Sequence, residues 1–146
     1  MIIGISFKLE NEWGFTLERL LQAFDITRYN VLMKNDEIYA PEGPSIDIAG
    51  IYNGATLMEL LPKEKNYCIA ASILAFEGEP HNIQLYDEFK NSDCKFIIYI
   101  DDVVDVRVYI KDPDLLKRIT EIVEQRYGGY EYVHDTDLNK ERRILW

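Results

Sequence analysis

The chain has 146 residues, 47% of them hydrophobic, and a formal net charge of −10 at pH 7. That length fits one domain, 1–146, with enough apolar residues to bury a core. The charge is even, −5 over residues 1–60 and −5 over 61–146, with no cationic cluster denser than Lys140, Arg142 and Arg143 around Glu141; this argues against nucleic acid and against an anionic membrane surface, because phosphate affinity comes from Lys and Arg displacing counterions.

The first residues, MIIGISFKLE, lack a basic leader, and their apolar run is short and interrupted, so they do not read as a signal peptide. No stretch approaches the ~18 apolar residues of a membrane-spanning helix. A cytoplasmic protein is expected. Residues 2–9 read as a first strand. Asn11 is placed to cap a helix over 13–24, in which Trp13, Leu17, Leu20, Leu21 and Phe24 share one face. YNVLMKNDEIYA at 29–40 predicts a hairpin turning at Asn35-Asp36, and PEGPS at 41–45 a loop. Asn53 can cap a short helix carrying Leu57, Leu60 and Leu61, which Pro62 stops.

YCIAASILAF at 67–76 is a long apolar strand, expected at the centre of a sheet, and YDEFKNSD at 86–93 a short helix. The run FIIYIDDVVDVRVYIKD then makes a hairpin whose second arm alternates. Val104, Val106, Val108 and Ile110 face one way; Asp105, Arg107, Tyr109 and Lys111 face the other. Such a pattern predicts an antiparallel strand with one face in water, and Tyr109 exposed on it. Asp112 as N-cap, Pro113 in the first turn, a stripe of Leu115, Leu116, Ile119, Ile122 and Val123, and Gly128-Gly129 as the stop define the next helix. Short strands at 130–134 and 142–146 close the chain. The fold class is α+β: a mainly antiparallel sheet with helices packed on one face, and a ferredoxin-like βαββαβ order in residues 67–134.

YIDD at 99–102 matches the catalytic tetrapeptide of reverse-transcriptase-like palms, and Asp47 offers a superficial third carboxylate. The chain is too short for a template-primer duplex, its charge has the wrong sign, and no cationic cluster serves a triphosphate. Asp101, Asp102 and Asp105 could instead hold a hard cation. Successive strand residues point to opposite faces, however, and the calcium-loop pattern is missing. The plain reading is a hairpin that turns on aspartates.

Cys68 and Cys94 flank apolar strands and read as reduced, buried thiols; Asp93 beside Cys94 works against reactivity. His81 and His134 stand apart in loops. No G-x-S-x-G, Walker or dinucleotide pattern is present, so no catalytic residue, cofactor or metal ligand is assigned.

GISF at 4–7, NEWG at 11–14, DITRYN at 25–30 and YDEFKNSDC at 86–94, followed by an apolar strand, resemble a family of small proteins of unknown function from Bacillus-type bacteria. The resemblance runs end to end and is weakest over 41–56. It implies a bacterial cytoplasmic protein, and it carries over no catalytic residue.

The leading expectation is a non-enzymatic acidic interaction protein of inhibitor, immunity or regulatory type. It would bind a basic protein partner through Asp101, Asp102, Asp105 and Tyr109. The alternative is a small metal- or ligand-binding domain with a carboxylate site near the 101–105 hairpin. A homo-oligomer is compatible with either.

Overall fold

The computed structural model describes residues 1–10, 14–41 and 45–145. One sheet of seven strands runs through it: β1 (Ile2–Lys8), β2 (Asn30–Tyr39), β3 (Gly50–Asn53), β4 (Tyr67–Phe76), β5 (Cys94–Asp101), β6 (Asp105–Ile110) and β7 (Glu131–His134). Their spatial order is β3-β2-β4-β5-β6-β1-β7, and every pairing is antiparallel. Four helices accompany it: α1 (Thr16–Ala23), α2 (Gly54–Leu60), α3 (Tyr86–Lys90) and α4 (Pro113–Tyr127). The α+β class with an antiparallel sheet is as the sequence indicates. The element order over 67–134 also holds, but β4, β5 and β6 pair as consecutive antiparallel neighbours. β1, from outside that segment, is inserted between β6 and β7, so the arrangement is not the split βαβ of a ferredoxin-like sheet.

Local chemistry explains the elements that matched. The Asn53 side chain accepts from the Thr56 amide at 2.8 Å and opens α2. Asp112 accepts from the Asp114 amide at 3.0 Å, Pro113 follows, and Gly128 closes α4 at φ 85, a left-handed position that suits glycine. The first helix is shorter than expected and begins at Thr16; Asn11 and Trp13 lie outside the described residues. Leu17, Leu20, Leu21 and Phe24 nevertheless form its buried face. Residues 29–40 form no hairpin. Asn35 does take a left-handed conformation, φ 53, but it makes a bulge within one long strand, because the ten residues of β4 pair with β2 on both sides of it. Residues 142–145 are not a strand; they carry one isolated β-bridge, Leu85 to Arg143, and the Ile144 and Leu145 amides donate to the Gln84 carbonyl at 2.8 and 3.1 Å.

Helices cover both faces, not one. α1, α2 and α4 pack Leu20, Leu57, Ile119 and Val123 on the first face, against Ile73, Phe96, Ile98 and Val108. α3 and the returning segment 138–145 pack Tyr86, Phe89, Ile144 and Leu145 on the second, against Leu74, Phe76 and Ile97. Each buried leucine or isoleucine in these layers contributes roughly 1.5–3 kcal/mol of transfer free energy.

The β5–β6 hairpin turns where the sequence indicates. Asp102 and Val103 have φ 50 and φ 73. The left-handed region is unfavourable for a β-branched residue. The Val103 amide donates to the Ile69 carbonyl at 2.8 Å, and the Leu9 amide to the Val104 carbonyl at 2.8 Å, so both neighbouring strands hold the turn.

Candidate functional site

Register and alternation sort the second face into rows. Leu74, Ile97, Tyr109, Gly4 and Val133 lie side by side across β4, β5, β6, β1 and β7. This row is apolar apart from the Tyr109 hydroxyl, and α3 and the segment 138–145 cover it. The next row is Ser72, Tyr99, Arg107, Ser6 and Glu131. Beyond it stand Asp101, Asp105 and Lys8. The cover stops at the apolar row. Tyr99, Arg107, Ser6, Asp101, Asp105 and Lys8 from these rows line a cleft of about 900 Å³, together with residues 127–131, 137–139, 143 and 144. That volume is in the range of small-molecule sites. Gly4 sits across from Tyr109, and a Cβ there would collide with the Val108 carbonyl. Glycine thus lets β1 lie close against β6 and completes the floor.

The charges in the cleft are unequally matched. Lys8 is bonded to Asp105. Arg143 lies 3.7 Å from Glu141 and also reaches the Leu145 carbonyl at 3.5 Å. Asp137 accepts from the His134 amide at 2.8 Å. Arg107 differs: among the described residues no carboxylate stands within ion-pair distance of it. Its guanidinium lies close enough to the Tyr109 hydroxyl to act on the phenol's ionisation. Burial pushes the Tyr109 phenol up, and the Arg107 contact only partly opposes this. Burial likewise pushes Tyr99 up, with the Asp101 charge adding to it and Arg107 pulling the other way. Both phenols therefore keep their protons well past neutral pH and remain hydrogen-bond donors.

Of the residues singled out in the sequence, the cleft gathers Asp101, Asp105 and Tyr109 and leaves Asp102 out, exposed at the hairpin tip. Tyr109 is corrected: it is only 2% exposed, because the second face is covered there. Lys111, expected beside it in water, instead donates to the Phe89 and Ser92 carbonyls at 2.8 and 2.7 Å and closes α3. A three-carboxylate metal site at the hairpin is not formed. Among the described residues no group of three or more His, Cys, Asp or Glu is arranged to hold a metal ion, and Lys8 already occupies Asp105. Asp47, the other carboxylate considered for such a site, accepts from the Ala49 amide at 3.0 Å. Sequence reasoning missed Tyr99, Ser6 and Arg143, and passed over Arg107. The period-two pattern that places Tyr99 with Asp101, and Arg107 with Tyr109, held the signal.

Both cysteines are free thiols, and neither lines the cleft. Burial pushes each up to about 12. Cys94 is buried under α3, its thiol near the Ala75 and Phe96 carbonyls at 3.4 Å each. Among the described residues no helix is long and apolar enough to cross a membrane.

The chain belongs to the DUF2691 family of proteins of unknown function, which it matches over residues 2–144. It is 29% identical over 150 residues to the uncharacterized protein YncE of Bacillus subtilis (strain 168), across 97% of each chain. The family resemblance carried by GISF, NEWG, DITRYN and YDEFKNSDC is thereby borne out. No solved structure matches.

Proposed function

We propose that this is a non-enzymatic binding protein that seats its ligand in the cleft on the second face of the sheet. One observation carries the reading: a half-buried arginine, Arg107, stands on β6 beside Tyr99 and Tyr109 in a concave site, with no carboxylate within ion-pair distance among the described residues. Arginine and tyrosine recur at binding sites because each combines a broad apolar body with directional hydrogen bonds. Neither thiol supplies a nucleophile there, since both lie outside the cleft and are held protonated. Two free thiols also fit a reducing, cytoplasmic setting.

A second reading keeps the acidic exterior as the working surface. Asp101 and Asp102 are exposed at the end of the hairpin, and no ion pair engages them among the described residues. A basic protein would dock on that end and be steered by the net charge.

One experiment separates the two. The 15N-labelled protein is titrated with a small-molecule library and, separately, with a lysine-rich peptide at low and high salt. Saturable amide shifts in β1, β5, β6 and residues 127–131 with a small molecule are expected. Salt-sensitive shifts confined to 101–105 with the peptide alone would instead favour the acidic docking surface.

A further inference from the structure

The cleft reading leaves open what kind of ligand it takes, and the charges answer that. Of its three cations, Lys8 and Arg143 pair with Asp105 and Glu141, and among the described residues only Arg107 has no carboxylate within ion-pair distance. The Tyr99 and Tyr109 hydroxyls and, on the adjoining strand, the Ser6 hydroxyl line the cleft on the same face and can donate to an oxyanion held there. A guanidinium flanked by hydroxyl donors is the complement of an oxyanion, and its planar fork matches a carboxylate with two parallel bonds. The rim sets the charge. Asp101, Asp105, Glu131 and Asp137 all line the same cleft. These carboxylates repel any anion in proportion to its charge, so a singly charged group held by Arg107 is favoured over a multiply charged phosphate.

Resting on the cleft reading, we infer that Arg107 is the anchor for the carboxylate of a small, singly charged organic acid, with Tyr99, Tyr109 and Ser6 completing the bonds to its oxygens. Tyr127 and Tyr130 also line the cleft and offer apolar surface to the remainder of the acid.

The test is an amide-shift titration of the full chain with four probes: butyrate, its neutral isostere butyramide, succinate and inorganic phosphate. Butyrate is expected to give saturable shifts at Tyr99, Arg107 and Tyr109, and to bind at least tenfold tighter than butyramide. Succinate and phosphate should bind more weakly than butyrate. Arg107→Gln should cost at least tenfold in butyrate affinity, and Arg107→Lys should restore part of it. Tyr99→Phe, which keeps the ring and removes one donor, gives a readout should Arg107→Gln not fold. Butyramide binding as tightly as butyrate in the cleft overturns the carboxylate assignment and leaves the cleft reading standing. Phosphate or succinate binding more tightly than butyrate overturns the single-charge argument. No cleft shift with any probe or library member overturns both.

Discussion

Cys94 shows how one buried group ties stability to pH. Its thiol is held protonated to about 12 from an ordinary 9.0, chiefly by burial, with the Lys111 charge opposing. The folded state therefore keeps a proton that the unfolded chain gives up above about pH 9. Raising the pH favours the unfolded state, so the contribution is complete below pH 9 and is lost on the way to 12. Over that window the loss is on the order of 1.4 kcal/mol per pH unit for each such thiol. Cys94→Ala is expected to flatten the fall in urea-unfolding free energy between pH 9 and 10.5. A slope identical to wild type would mean that the thiol ionises normally in the fold. Tyr109 teaches the opposite lesson about legibility. Alternation gave its strand face correctly, yet its exposure depends on residues 138–145 returning over the sheet. No pattern around residue 109 encodes that return.

Among the elements, α4 was the most legible, because everything that defines it is local: the Asp112 cap, Pro113, the apolar stripe and Gly128. Asp112→Ala leaves the Asp114 amide without its acceptor and is expected to cost about 1 kcal/mol. The denaturation midpoint should fall with the slope unchanged, and an unmoved midpoint would show that water replaces the cap without loss. β2 was misread for an equally physical reason. Asn35-Asp36 is as good a turn as a bulge, and only the length of β4 decides between them. The helix stripe from Leu17 to Phe24 was read correctly, but its start was placed too early. The observed N-cap, Phe15, makes no side-chain capping bond, so the sequence carries no start signal at that point.

For the molecule as a whole, the two-sided sheet is the main departure from what the sequence indicated. A one-sided sheet would leave the second face to water, whereas here Ile144 and Leu145, 3% and 0% exposed, close a second core. Leu145→Ala should therefore behave as a core truncation, costing ~2–5 kcal/mol. Thermal unfolding is the check: a loss below 0.5 kcal/mol, on the scale of an ordinary surface substitution, would mean that the returning segment covers the sheet without supporting it. The family and the fold class were accessible from the sequence, from motifs and from element order. The cleft was not, since its floor is drawn from β1, β5 and β6 and its walls from two later segments.

The position of β1 has a consequence for synthesis on the ribosome. The strand is made first, yet both its neighbours come from the last third of the chain: β6 at 105–110 and β7 at 131–134. Until β6 emerges, β1 has neither of its lateral partners, because none of β2 to β5 pairs with it. Ser6 and Arg107 come together only once β6 has left the exit tunnel, and the walls of the cleft follow later still. A chain stalled before residue 105 would hold β2 to β5 without β6, so the floor of the cleft is assembled only after that point.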